Sequence, residues 1–131
     1  MRFLLDSNVV IGLLNDSIPK LTRRARREKP SDIVVSSIVM HELFYGAFKS
    51  QRVTQNVALI DDLSFPVVEF DTEDARRAGE VRALLVSLGL PIGPYDLLIA
   101  GQAISRDLTL VTHNTGEFAR IPGLRIEDWQ V

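Results

Sequence analysis

Apolar residues along this chain fall into two kinds of pattern. Short continuous runs at Phe3-Leu4-Leu5, Ile33-Val34-Val35 and Leu108-Thr109-Leu110-Val111 read as strands buried on both faces. Longer segments instead place apolar positions three and four residues apart, as on one face of a helix. The first run stops at Asp6-Ser7-Asn8, after which Val9, Val10, Leu13 and Leu14 recur at helical spacing, giving a strand, a cap and a helix. Further helices are predicted over the basic stretch Lys20 to Lys29, broken by Pro30-Ser31-Asp32, and from about Ile38 to Lys49, after a strand closed by Ser36-Ser37. An amphipathic segment covers Val53 to about Leu63. Asp71-Thr72-Glu73-Asp74 starts a helix with acids where the macrodipole favours them, and that helix runs to Leu88-Gly89. Another begins at Pro94, with Leu97, Leu98, Ile99, Ala100 and Ala103 on its apolar face. Pro66 to Phe70 resembles a third strand, Leu124 to Ile126 a short fifth, and Thr112 to Phe118 a polar turn. Strands alternating with helices predict an α/β fold, a mostly parallel five-stranded sheet covered on both faces, in a single domain over residues 1–131.

Composition narrows the chemistry. With 131 residues, 46% hydrophobic and 24% charged, the chain can bury a core without a disulfide or metal staple. Having no cysteine and two histidines outside any HExxH pattern, it offers no zinc ribbon, thiol nucleophile or iron–sulfur site, so any metal would be held by oxygen. No uncharged run approaches the length of a bilayer span, and the apolar start is too short for a signal peptide, so a cytoplasmic protein with no membrane partner is expected. The net charge of −2 and pI of about 5.6 give bulk charge no part in nucleic-acid binding and leave only its distribution to argue from.

In open parallel sheets, ligands bind beyond the carboxyl ends of the strands. Asp6 is an acid in that place, although an N-cap role alone would account for it. Glu42 lies on a predicted helix whose neighbouring positions, Ile38, Val39, Tyr45 and Gly46, carry no charge, so it lacks a local ion-pair partner, and Gly46 leaves room for close approach. Asp96 stands just inside the Pro94 helix start, again among uncharged neighbours, and also reads as an ordinary first-turn acid. Asn114 and Glu117, in the turn after the fourth strand, are candidates to reach inward, while Ser7, Asn8 and Thr112 are polar supports in the same turns. Two carboxylates about 5 Å apart repel by about 3 kcal/mol at an effective dielectric of about 20, so three or four together call for protonation or a cation. An all-oxygen donor set selects Mg²⁺, with Mn²⁺ as a substitute, over zinc or copper.

Leu4-Leu5-Asp6-Ser7-Asn8, the segment Ser36 to Ala47 around Glu42, Gly93-Pro94-Tyr95-Asp96 through Ala100, and Thr112 to Phe118 resemble the PIN domain of VapC toxins, and the resemblance continues to Trp129. It implies a three-layer α/β/α sandwich and a metal-dependent endoribonuclease, the toxin of a toxin–antitoxin pair. By position, Asp6, Glu42 and Asp96 match the family's acidic metal-site residues. At the fourth position Asn114 stands where an Asp is common, with Glu117 three residues on; Ser7 stands for a commoner Thr, and His113 for Asn or Asp. The implied reaction is phosphodiester hydrolysis giving 5′-phosphate and 3′-hydroxyl ends, on RNA, with structured tRNA the substrate the family most often cuts and initiator tRNA the one cut by members that closely resemble this chain. The resemblance also implies a VapB-type antitoxin and a homodimer.

Cations are needed at the rim of an acidic pocket, and Lys20, Arg23, Arg24, Arg26, Arg27 and Lys29 are the obvious set, with Arg76, Arg77 and Arg82 a looser one; either also reads as a solvated helix face. Phe44, Tyr45 and Phe48, with Leu13 and Leu14, are assigned to core packing in preference to an exposed groove. Two rival functions stand beside the nuclease. A phosphatase or receiver-like domain would also put an Asp at a strand end, but Asn8 occupies the place of a phosphatase's second Asp, and no Lys follows the fourth strand. A catalytically silent RNA-binding module of the same fold is the other.

Overall fold

Every residue of β1 (Phe3–Leu5) is buried, as is every residue of β2 (Ile33–Ser36), which requires helices on both faces of the sheet. The computed structural model describes residues 1–131 and joins these strands to β3 (Val67–Val68), β4 (Thr109–Val111) and β5 (Ile126–Glu127) in one sheet of order β3-β2-β1-β4-β5. All four pairings are parallel, so the sheet is wholly rather than mostly parallel. The chain winds from β1 outward through β2 and β3, then crosses back to place β4 on the other flank of β1. The reversal opens a crevice at the carboxyl ends of β1 and β4.

Seven helices make the connections: α1 (Ser7–Asn15), α2 (Pro19–Arg27), α3 (Ser37–Phe48), α4 (Val53–Asp61), α5 (Thr72–Ser87), α6 (Pro94–Ser105) and α7 (Thr115–Phe118), with a 3-10 turn at Pro30–Asp32. Their starts follow local chemistry. Asp6 and Ser36 accept the amides of Val9 and Ile38, and Asp71 and Asp74 exchange backbone amides in a capping box. Pro94 opens α6, where its missing N–H costs nothing. Gly89, at φ 69°, ends α5 in the left-handed conformation, and the next amide, Leu90, bonds back to the Leu85 carbonyl at 2.9 Å.

Helices α5 and α6 pack closely because Gly101 has no side chain: a Cβ there would lie 2.6 Å from the backbone of Ala78. Beneath the same contact runs a buried polar network that the sequence did not announce. Asp74 accepts from Gln102 Nε2 and an Arg106 Nη, each at 3.1 Å, and Arg106 also donates to the Glu69 carbonyl at 2.6 Å. Burial pushes the Asp74 carboxyl up, but the Asp71 amide and the Arg106 guanidinium outweigh it and hold it below its ordinary range.

Several expectations shift. The third strand is two residues long rather than Pro66 to Phe70, because Pro66 has no N–H for the ladder and the Glu69 carbonyl is taken by the Gln102 and Arg106 side chains. The polar turn after β4 contains the short helix α7, which buries Phe118. Tyr45 and Phe48 do not pack in the core: they are 62% and 64% exposed, while Phe44, Leu13 and Leu14 are only partly buried against it. Three successive turns of α3 cannot all face inward once Val39, Leu43 and Ala47 have taken the core-facing stripe.

Candidate active site

Four chain segments deliver acids to the crevice. Asp6 follows β1 directly and is 7% exposed. Its Oδ1 accepts the Val9 amide at 2.9 Å, so it is both helix cap and site residue. Its own amide bonds to the Val111 carbonyl, which ties the ends of β1 and β4 together, and the Thr112 hydroxyl donates to its carboxylate. Burial pushes the Asp6 carboxyl up. The Thr112 and Val9 donors and His113 work against the rise, and Glu42 adds to it, leaving the carboxyl above its ordinary range.

Glu42 comes from α3 and is half-buried. Ser7, the first residue of α1, donates its hydroxyl to Glu42 Oε1 at 2.7 Å, so the absence of an ion-pair partner is answered by a neutral donor. Gly46 does not admit a close neighbour, since a Cβ there would meet nothing within 4 Å; it borders instead an open groove shared with Ile11, Leu14 and Leu59.

Asp96 is the third residue of α6. Burial, then Glu117, Glu42 and Asp6 in that order, push its carboxyl up to about 6. Its side chain folds back over Gly93, whose missing Cβ would lie 3.5 Å from Oδ2. Glu117, on α7, takes the Gly93 amide on Oε1 at 3.1 Å and the Asn114 side-chain amide on Oε2 at 2.8 Å. The Asn114 and Gly93 donors hold Glu117 below its ordinary range, so it stays charged beside Asp96. Its Oε1 therefore braces the turn that presents Asp96, while Oε2 is held by the turn after β4. Asn114 is exposed and lines the cleft with Asp6, Asn8 and His113.

All of the expected site residues gather at this end of the sheet, with Glu42 close enough to raise Asp6, and Glu117, Glu42 and Asp6 close enough to raise Asp96. The cluster is loose, not closed: no three acidic or histidine side chains form a ready-made ligand sphere. The donor set still fits a divalent cation. It is all oxygen, it carries more negative charge than its neighbours balance, and Mg²⁺ ordinarily keeps several waters and binds one or two carboxylates. Zinc or copper, which favour sulfur and nitrogen donors, fit it poorly.

Asp128, Gln130, His41 and Tyr95 also surround the site. His113 Nδ1 lies 2.9 Å from Asp128 Oδ2, which ties the β4 turn to the chain's last segment, and Gln130 from that segment also lines the cleft. On the opposite side, the Tyr95 hydroxyl lies 3.4 Å from His41 Nε2, and these rings border a cavity of about 480 Å³ with Glu42 and Tyr45. The signal was adjacency: His41 precedes Glu42 and Tyr95 precedes Asp96.

The PIN domain family profile matches residues 3–124. Among characterised relatives, the tRNA(fMet)-specific endonuclease VapC of Salmonella typhimurium is 42% identical over 98% of each chain, and ribonuclease VapC2 of Rickettsia felis is 37% identical over 98% of each. Among solved structures, DNA-bound VapBC from Salmonella typhimurium superposes with a TM-score of 0.93 at 41% identity over 98% of each chain. VapBC-1 from nontypeable Haemophilus influenzae gives 0.90 at 33% identity over the full length of both chains. With its sheet order, its gathered acids and these relatives in agreement, the chain belongs to the PIN domain family, among its VapC members.

Proposed function

We propose that the chain is a metal-dependent endoribonuclease toxin of a VapBC-type pair, acting on tRNA and specifically on initiator tRNA. The observation that supports this most is Asp96, raised to about 6 by burial and by three acids arriving from other segments, an arrangement that invites a cation. Asp6 and Asp96 would hold Mg²⁺ or Mn²⁺ directly or through water, with Glu42 completing the shell. When bound, such an ion makes water acidic and neutralises charge on a phosphoryl oxygen. The chain's own groups do the rest. Ser7 fixes the direction of the Glu42 carboxylate, which is placed to orient a water and accept its proton. Thr112 and the Val9 amide fix Asp6, and Glu117 and Asn114 brace Gly93 and so the position of Asp96. A water attacking the phosphorus breaks the bond to the 3′-oxygen and leaves 5′-phosphate and 3′-hydroxyl ends. No step uses the substrate's 2′-hydroxyl, so preference for RNA rests on shape and fit.

The relatives solved as VapBC complexes support a VapB-type antitoxin as partner, and the family match over residues 3–124 supports a single PIN domain over residues 1–131. A tRNA substrate would call for a cytoplasmic protein; no helix is long and apolar enough to cross a membrane.

The test is incubation of partner-free protein with unfractionated tRNA and initiator tRNA in Mg²⁺ or Mn²⁺, beside EDTA and Asp96→Asn. Cleavage of initiator tRNA should disappear in both controls, the substitution removing about 4 kcal/mol of transition-state stabilisation, or about a thousandfold in rate. Cleavage that survives both would overturn the assignment. RNA retention with neither cleavage nor saturable Mn²⁺ binding would favour the silent module, and phosphate release from an aryl phosphate the phosphatase.

A further inference from the structure

Beside the acidic cleft, α2 presents cations along one face. Lys20, Arg23, Arg24 and Arg27 stand one turn apart and, with Asp128 and Trp129, line a groove of about 250 Å³. The stripe follows about 10 Å of helix, enough to track a length of nucleic-acid backbone. Arg24 is committed to the fold: it bonds Glu127 at 3.1 Å and Glu28 at 3.2 Å and lies 4.9 Å from the centre of the Trp129 ring. Trp129 in turn packs edge-on against Phe3 in the core, so the groove has a rigid floor. Lys20, Arg23 and Arg27 form no ion pair. The looser basic group on α5 differs, because Arg76 and Arg77 are paired with Glu73 and Glu80 on the same helix.

The groove adjoins the cleft through shared walls. Gln130 lines the cleft while its neighbours Trp129 and Val131 line the groove, and Ile18 and Lys20 are divided in the same way. The His113–Asp128 contact pins the wall between them. Acids in the cleft repel a phosphodiester backbone, so strand phosphates outside the cleft need cationic partners that the fold itself does not neutralise.

We propose that Lys20, Arg23 and Arg27 form a subsite for RNA phosphates flanking the scissile bond, holding the strand across the acidic cleft. The assignment rests on the ribonuclease reading. These are positioning residues: they act on affinity and register, and the cleavage step is left to the cleft.

The test uses the full chain with unfractionated tRNA, comparing wild type, the combined variant Lys20→Gln, Arg23→Gln, Arg27→Gln, the charge-preserving Lys20→Arg, Arg23→Lys, Arg27→Lys, and the control Arg76→Gln, Arg77→Gln. KM and kcat are measured at several salt concentrations, and Kd in EDTA. The charge-removing variant should raise KM about tenfold or more at low salt and leave kcat within about twofold. Its slope of log K against log salt should be shallower by about 2, as expected for three lost phosphate contacts. The charge-preserving variant should recover most of both effects, and the α5 control should match wild type. An unchanged KM and slope in the charge-removing variant, or an equal loss in the α5 control, overturns the subsite while leaving the ribonuclease standing. If wild type neither cleaves nor retains tRNA, both are overturned.

Discussion

Asp96 occupies a helix N-terminus, where the macrodipole and free amides ordinarily favour a carboxylate. Its rise to about 6 therefore means that burial and the acids Glu117, Glu42 and Asp6 outweigh the helix. Because the folded value lies above the ordinary 3.8, the neutral carboxyl favours folding, fully so below pH 3.8, and that contribution is lost as pH rises through about 6. At pH 7 in chelator, Asp96→Asn should thus raise Tm by a few degrees, corresponding to about 1 kcal/mol after allowing for solvent screening of a half-exposed group. Added Mn²⁺ should then stabilise wild type and not the variant, and scanning fluorimetry across pH 4 to 8 checks both signs. Metal affinity should weaken as pH falls through about 6, since protons compete for Asp96. Ser7 gives a finer test. Its hydroxyl orients Glu42 without being a candidate ligand, so Ser7→Ala should lower kcat about tenfold to a hundredfold with little change in Tm, and Ser7→Thr should restore it.

The α5–α6 pair shows where local pattern stops being informative. Asp71 to Asp74 was legible as a helix start, and the capping box is present, but nothing in the local spacing announced that Asp74 also meets Gln102 and Arg106, about thirty positions later. Replacing Asp74 by Ala leaves Gln102 and Arg106 without their carboxylate and should cost about 3 kcal/mol, read by denaturant unfolding. Gly101→Ala forces a Cβ against the Ala78 backbone and should cost about 1 to 3 kcal/mol by driving the helices apart. The main strands and helices were readable because period and caps agree there, as at β1, β2, α3 and α6. Edge strand β3, held by two residues, was legible only with its length overestimated, and α7, one turn long, carries too little periodicity to be seen. Tyr45 and Phe48 looked like core by residue type, yet α3 had already filled its inward stripe with Val39, Leu43 and Ala47. The site was legible for a different reason. Asp6 stood out by its place at a strand end, and Glu42 and Asp96 as acids lacking local charge partners, whereas the bracing duty of Glu117 and the contribution of Asp128 and Gln130 arise only from tertiary contacts.

A net charge of −2 hides a segregated molecule. Acids converge at the carboxyl ends of β1 and β4, the unpaired cations of α2 flank them, and aromatic rings at Tyr95 and His41 border the other side. A phosphodiester strand crossing such a surface is attracted at the rim and repelled at the centre, until a cation reverses the sign there. Occupancy of that centre by a divalent cation therefore decides whether the strand can be held and cut there. Calorimetric titration of partner-free protein with Mn²⁺ at neutral pH, wild type beside Asp96→Asn, measures it directly. Saturable binding in wild type that is lost in the variant is the predicted result. Equal binding in the two proteins, or none in wild type, would contradict it.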